Sequence, residues 1–87
     1  MVKVYIPPTL RDLTNGAEIV EGAGHTVRAI LADLEPRYPG LTAKLCTDDA
    51  LRPGLMIAVG SSMSNLGLRT PGPENAEVHF LPALGGG

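Results

Sequence analysis

The sequence predicts an α+β domain in which a mixed β-sheet packs on one main helix. Segments near both ends alternate apolar and polar residues, which is typical of strands, whereas one stretch between them repeats its apolar residues at helical spacing. The resulting order of strand, strand, helix, strand and strand is typical of a sheet covered on one face. With 87 residues, the chain is long enough for one small domain with a modest core.

The first two strands are predicted to pair with each other. Residues 2–6 alternate until Pro7 removes a backbone donor and ends the strand. A second strand is expected over residues 17–21, after Asn15 and Gly16, a pair that favours a tight turn because both residues tolerate positive φ. The separation exceeds a minimal hairpin loop, so we expect a wider connection with antiparallel pairing.

An amphipathic helix follows the second strand. Thr26 stands at the N-cap position, and Pro36 disfavours helical backbone at Glu35, so the regular helix should end near Leu34. A further helical turn is expected over residues 41–46. The apolar residues that should face the core from these two segments are Val27, Ile30, Leu31, Leu34, Tyr38, Leu41 and Leu45.

Two more strands are predicted to complete the sheet. After a polar loop at residues 47–50, the apolar run at residues 55–59 has strand length. Residues 63–75 contain Gly and Pro at four positions, which indicates mostly loop with at most a short edge strand around residues 66–69. Residues 76–81 alternate again.

The last strand should lie at the centre of the sheet, because its Val78 and Phe80 are among the few large core residues left. Parallel pairing with the first strand gives it that place, and the arrangement is the β-grasp, or ubiquitin-like, fold. We assign residues 1–81 to this domain and residues 82–87 to a flexible C-terminal tail.

Composition and charge argue against several classes of site and partner. Seven Lys and Arg stand against nine Asp and Glu with no basic run, which is untypical of proteins that bind nucleic acid through its phosphates. One cysteine, Cys46, cannot form an intramolecular disulfide, and one Cys with two His is fewer than the zinc-site spacings require. No apolar run of about 20 residues and no secretory signal is present. We expect a cytoplasmic protein, unprocessed at its N-terminus, with no bound cofactor or metal and no nucleic-acid or membrane partner.

The chain ends in Gly85, Gly86 and Gly87. Glycines at a free end lower local order, so they add no stability to the domain. The six residues from Leu81 to Gly87 extend about 20 Å. Such a tail, without side chains on its last residues, could pass through a narrow channel and place the Gly87 carboxylate at a distant catalytic centre. The alternative is that the glycines are an unordered end or a cloning remnant.

A carboxylate reacts with nucleophiles only after activation by a phosphoryl or adenylyl group. The sequence has no Gly-rich phosphate loop with the Lys and Ser/Thr that such a loop needs. A reactive Gly87 therefore implies an ATP-using partner enzyme.

The chain resembles the MoaD/ThiS family of bacterial sulfur carriers over nearly its whole length. The matching pieces are the opening strand at residues 2–6, the helix entry at Thr26, the run to residue 41 and, above all, residues 77–87. That final segment is similar to the family's ending of strand, proline, small apolar residues and diglycine. A third glycine makes the tail one residue longer, or places Gly85 where the family has another small residue.

The resemblance implies a protein co-substrate, not an enzyme. A ubiquitin-activating-type enzyme would use ATP to adenylate Gly87, with Gly86 as its flexible neighbour, and a sulfur donor would convert the product to a thiocarboxylate. The sulfur would then pass to an acceptor enzyme such as a synthase, in molybdopterin, thiamine, cysteine, tRNA or natural-product biosynthesis. The length and residues 34–40 favour the cysteine or secondary-metabolite branches. The residues expected to contact the activating enzyme are Phe80, Leu81, Leu84 and Gly85.

Two other functions use the same fold. A ubiquitin-like modifier would join the activated glycine to a target lysine in an isopeptide bond. A non-catalytic interaction or assembly module would make no covalent use of the tail.

Overall fold

Seven strands, two α-helices and two 3-10 helices make up the part of the chain that a computed structural model describes, residues 1–48, 50–52 and 54–82. The strands are β1 (Val2–Tyr5), β2 (Ile19–Gly22), β3 (Cys46–Thr47), β4 (Ala50–Leu51), β5 (Leu55–Val59), β6 (Ser62–Ser64) and β7 (Glu77–Pro82). The α-helices are α1 (Val27–Leu34) and α2 (Leu41–Leu45), and the 3-10 helices span Pro8–Thr14 and Gly67–Arg69.

The main sheet has five strands in the order β2-β1-β7-β5-β6. β1 pairs antiparallel with β2 and parallel with β7, whereas β5 pairs antiparallel with both β7 and β6. The last strand is therefore central and parallel to the first, as predicted. This mixed sheet packed on α1 is the β-grasp fold, and β3 and β4 form a separate two-stranded hairpin.

The connection between β1 and β2 is wide, as expected, and contains a 3-10 helix. Asn15 ends this helix in the left-handed region at φ 57°, and Gly16 follows at φ 86°. The ladder between the strands begins at Tyr5 and Ile19. Asn15 and Gly16 thus terminate a helix and do not form the tight hairpin loop that their sequence favours.

The helices begin and end close to the predicted residues. The Thr26 hydroxyl accepts a hydrogen bond from the Ala29 amide at 3.2 Å, and α1 ends at Leu34. After a turn through Gly40 at φ 94°, α2 presents Leu41 and Leu45 to the core, both fully buried. Within the described residues, neither helix has the length and hydrophobicity that crossing a bilayer requires.

Two loop predictions are wrong. The chain around residues 47–50, expected as a polar loop, contains β3 and β4. The edge strand lies at Ser62–Ser64, because Gly60 at φ 61° turns the chain straight back and pairs Val59 with Ser62. Residues 67–69, inside the stretch expected to hold that strand, form a 3-10 helix instead. Both pairings involve two or three residues, too few for alternation to be recognised.

The core lies between the inner face of the sheet and the two helices. Gly24 and Gly72 let the backbone approach Ile30 closely because they have no side chain. A Cβ added at Gly24 would lie 2.7 Å from the Ile30 amide nitrogen, and one added at Gly72 would lie 2.6 Å from Ile30 Cδ1. The buried apolar residues of the core cluster are Val2, Val4, Ile6, Val20, Val27, Ile30, Leu31, Leu34, Leu41, Leu45, Ile57, Leu68, Val78 and Phe80.

Candidate functional site

The strand that leads to the predicted reactive terminus is the central strand of the sheet. β7 is hydrogen-bonded to β1 on one side and to β5 on the other, and its ladder with β5 continues to the pairing of Pro82 with Leu55. The strand thus includes the first residue that we assigned to the tail. Leu84, Gly85, Gly86 and Gly87 lie outside the described residues.

Phe80 and Leu81 point to opposite faces of the sheet, as neighbours in a strand do. Phe80 is 5% exposed and belongs to the core, where it is the register partner of Ile57. Leu81 is 39% exposed and pairs with Met56 on the other face. The core position predicted for Phe80 is therefore confirmed, but this burial leaves its side chain out of reach for the expected contact with the activating enzyme. Leu81 is the residue of this pair that a partner can reach.

Leu81 belongs to a larger apolar surface that sequence reasoning missed. On the side of the sheet opposite the core, one residue from each of the five strands joins a row of register partners. Ile19 and Met63 stand at the two ends of this row and are 42% and 52% exposed. Leu81 and Met56 form the next row towards the tail. We call this surface the outer face, and its apolar and aromatic residues are Ile19, Tyr5, His79, Ala58, Met63, Leu81 and Met56.

The centre of the outer face is a stacked ring pair. The Tyr5 and His79 rings lie with their centroids 4.1 Å apart and their planes 18° from parallel. The His79 Nε2 atom is also 4.0 Å from Glu77 Oε1. The alternation of β7 thus places His79 on the outer face, where it is part of an aromatic stack.

The end of the outer face farthest from the tail is charged. Lys3 is the register partner of Glu21 on one side and of Glu77 on the other, and all three are exposed. The described residues show no ion pair between Lys3 and either carboxylate. The outer face is thus apolar next to the tail and carries two carboxylates and one ammonium at its other end.

A cavity lies on the helix side of the molecule. A cavity of about 660 Å³ opens between α1 and α2, with Leu31, Ala32, Ala43, Cys46 and Leu68 among its lining residues. Within residues 1–48, 50–52 and 54–82, no three His, Cys, Asp or Glu side chains are grouped so that they could hold a metal ion.

Comparisons with known proteins identify a family and relatives of nearly equal length. The ThiS family model matches residues 4–87. The sulfur carrier protein CysO of Mycobacterium tuberculosis H37Rv is 34% identical over 93 residues, which cover 99% of this chain and 98% of that protein. A crystal structure of M. tuberculosis CysO, described as an antigen, matches with a TM-score of 0.85 at 31% identity and covers 97% of this chain and 100% of that one.

Two further solved structures resemble the chain. A chain of the Amycolatopsis orientalis BexX/CysO complex matches with a TM-score of 0.89 and 32% identity, with both chains covered completely. The small archaeal modifier protein 1 of Methanosarcina acetivorans has a TM-score of 0.76 at 24% identity, covering 99% of this chain and 95% of that one. At this lower identity the likeness shows the fold alone.

Proposed function

Because the chain belongs to the ThiS family, we propose that it is a sulfur carrier protein, a co-substrate that other enzymes charge and discharge. The observation that carries this proposal is the full-length match to CysO, in a family whose model extends to Gly87. The position of β7 supports it, since this central strand of the sheet ends at Pro82, shortly before Gly85 in the sequence.

The proposed chemistry takes place at the Gly87 carboxylate. One carboxylate oxygen attacks the α-phosphorus of ATP and pyrophosphate leaves, which gives an acyl adenylate. A sulfide-level donor then attacks the acyl carbon and AMP leaves, so that the carboxylate becomes a thiocarboxylate with no change in the oxidation state of carbon. The ATP and the sulfur donor act through a ubiquitin-activating-type enzyme, and the carrier itself holds no cofactor.

The sheet suits a carrier whose end enters a partner's active site. β7 is paired along both edges, so the enzyme can hold the tail without displacing the strand that bears it. Beyond Leu81, an extended chain reaches about 20 Å to Gly87. Gly86 gives the terminus freedom to adopt the reactive geometry, and Leu84, Gly85 and the exposed Leu81 contact the activating enzyme.

We further propose a second partner, an acceptor enzyme such as a synthase that takes the thiocarboxylate sulfur. The occurrence of the A. orientalis relative in a complex with BexX supports a protein partner for this chain too. As the receiving pathway we propose cysteine or natural-product biosynthesis, which the chain length and residues 34–40 favour over molybdopterin biosynthesis. We place the carrier in the cytoplasm, where ATP is available.

The proposal is tested by incubating the full chain with a ubiquitin-activating-type enzyme from the same genome, ATP and sulfide, and by measuring the intact mass. We expect a gain of about 16 Da, the difference between sulfur and oxygen. The chain without Gly87 and a chain with one alanine added after Gly87 should gain nothing. Equal conversion of the truncated chain, whose terminal carboxylate belongs to Gly86, would contradict the requirement for Gly87, and equal conversion of the chain with the added alanine would contradict a role for the glycine carboxylate. Lysine conjugates without any thiocarboxylate would indicate a modifier instead.

A further inference from the structure

The edge strand β2 directs a row of backbone groups away from the sheet, and the chain itself covers most of them. An uncovered edge is a template for pairing with another strand. We infer that the edge of β2 is a pairing site for a second copy of this chain, and that the ion pair between Asp33 and Arg37 keeps the site closed. The site is the backbone of one strand, and the inference does not depend on the sulfur-carrier function.

Residues 17, 19, 21 and 23 are the ones whose backbone groups face away from the sheet. Bonded and unbonded positions alternate along an antiparallel strand, so one known bond determines the whole pattern. The Ile6 amide donates to the Glu18 carbonyl at 2.7 Å, which continues the register of the ladder between β1 and β2. The even-numbered residues of β2 therefore bond to β1, and the odd-numbered residues face outward.

Both ends of this outward row are already hydrogen-bonded within the chain. At the beginning, the Ala17 amide donates to the Thr14 carbonyl at 3.0 Å, and the Ala17 carbonyl accepts from the Thr14 hydroxyl at 2.8 Å. At the far end, the Ala23 amide donates to Asp33 Oδ2 at 3.0 Å. An incoming strand therefore finds no free backbone group at Ala17, and the Ala23 amide is also taken.

Arg37 covers a group between these two ends, the Glu21 carbonyl. Its Nη2 atom donates to the Glu21 carbonyl and to Asp33 Oδ2, both at 2.9 Å. Asp33 belongs to α1 and Arg37 follows the helix, so the ion pair reaches from the helix to the edge of the sheet. Within the described residues, the outward groups that have no partner are the amide and carbonyl of Ile19 and the amide of Glu21.

A second copy fits this open section because the section is self-complementary. Two β2 strands placed antiparallel about a twofold axis at Val20 bring Ile19 of each copy opposite Glu21 of the other. Each such pair exchanges two hydrogen bonds, so four bonds form across the axis. Two of the four require the Glu21 carbonyls, which Arg37 occupies in the closed edge. Any other register that pairs outward residues brings in the closed ends of the row.

The opposite edge of the sheet is too short to compete with β2. β6 contains three residues, Ser62–Ser64. The Gly60 amide donates to the Glu77 carbonyl, and the same alternation continued through β5 leaves only Met63 of β6 with outward backbone groups. Strand pairing that follows the loss of Arg37 should therefore use β2.

The test measures self-association of the full chain by sedimentation equilibrium. Arg37→Ala should lower the dissociation constant of the dimer about tenfold, because it makes two further hydrogen bonds available per dimer. Asp33→Ala should act in the same direction, and alanine favours the helix that contains it. Arg69→Ala is the control, since it removes the same charge at an exposed site outside the sheet. Folded Arg37→Ala and Asp33→Ala variants that associate no more than the control would overturn the inference.

A second substitution in the Arg37→Ala chain identifies the surface. Ile19→Pro removes only an outward amide, a place where edge strands tolerate proline, and should abolish the association. Ile19→Ala keeps that amide and should preserve it. Amide exchange followed by NMR should show Ile19 and Glu21 exchanging quickly in the unmodified chain and becoming protected as the concentration of the Arg37→Ala chain rises. Association that survives Ile19→Pro, or exchange independent of concentration, would place the contact elsewhere and overturn the inference.

Discussion

Tyr5 and His79 are register partners in the parallel ladder between β1 and β7, and their rings stack with centroids 4.1 Å apart. The stack therefore joins the first strand of the chain to the strand that carries the proposed reactive terminus. Because the pair lies on the outer face, away from the core, its contribution to stability can be separated from core packing.

We predict that Tyr5→Ala and His79→Ala each destabilise the domain and that their effects are not additive. Stacked aromatic pairs contribute about 0.5–1.5 kcal/mol beyond the area they bury, so a double-mutant cycle in urea should give a coupling energy of that size. A cycle between Tyr5→Ala and Leu66→Ala, which removes an exposed side chain outside the strands of the sheet, should give a coupling energy near zero. A coupling near zero for Tyr5 and His79 would show that their contact does not stabilise the fold.

Phe80 and Leu81 should separate stability from function. Phe80→Ala removes a core side chain and is expected to cost about 3–5 kcal/mol, measured by urea denaturation. Leu81→Ala should change stability by less than about 1 kcal/mol, because 39% of Leu81 is already exposed, yet it should slow the conversion of Gly87. A large loss of stability in Leu81→Ala would contradict its placement on the outer face.

We predict that a side chain at Gly72 destabilises the domain by a clash with Ile30, and that shortening the Ile30 side chain relieves this clash. The Cβ of Gly72→Ala would lie 2.6 Å from Ile30 Cδ1, and such overpacking costs about 1–3 kcal/mol. Ile30→Val deletes that Cδ1 atom, so the double variant should be more stable than the sum of the single effects predicts.

Gly24→Ala is the matched control for this rescue. Its Cβ would meet the Ile30 amide nitrogen at 2.7 Å and the Ala29 carbonyl carbon at 2.9 Å, both backbone atoms that Ile30→Val leaves in place. Ile30→Val should therefore not restore its stability. If it rescues both glycine variants equally, the conflict is not with the Ile30 side chain.

Glu35 should make the stability of the domain depend on pH. Its carboxylate accepts hydrogen bonds from the Gly40 amide at 2.8 Å and the Thr42 amide at 3.1 Å. These bonds, Gly40 first, hold the pKa of Glu35 below its ordinary value of 4.5. The pKa of Glu35 is lower in the folded state than in the unfolded state. Its carboxylate therefore stabilises the fold fully above pH 4.5, and this stabilisation is lost as the pH falls through the folded-state pKa.

The measurement compares urea midpoints of Glu35→Gln and the unmodified chain at about pH 7 and about pH 2.5. The variant should be less stable at the higher pH, and the difference should narrow at the lower one. Asp12→Asn, at an exposed site without a hydrogen bond in the described structure, is the control and should change little. A difference of equal size at both pH values would contradict the role of the charged carboxylate.

Hydrophobic periodicity was sufficient to predict the fold because each main element buries one regular face. The buried Val2 and Val4 follow the alternation of β1, and the fully buried Leu41 and Leu45 follow the helical spacing of α2. The 3-10 helix after β1 was not predicted, because Asn15 followed by Gly16 favours positive φ, which occurs both in tight hairpin turns and at the ends of helices.

The candidate site could be predicted only in part. The reactive role of Gly87, inferred from the glycine tail and the resemblance, stays a prediction, whereas the central position of the last strand was predicted from its core residues and is confirmed. The outer face could not be predicted from the sequence because its residues come from different strands, and only the strand register brings them together. Four of them, from four strands, are Tyr5, Ile19, Met63 and Leu81. The one available signal was that apolar residues occupy positions where a sheet exposed on one side usually has polar ones.

The central claim is that sulfur is carried on the acyl carbon of Gly87. The most direct test is fragmentation of the charged protein in the mass spectrometer, which locates the added mass along the chain. We predict a gain of about 16 Da confined to fragments that contain Gly87, and the same gain in a Cys46→Ala variant. A gain of about 32 Da on fragments that contain Cys46, lost in that variant, would indicate a persulfide and contradict the account.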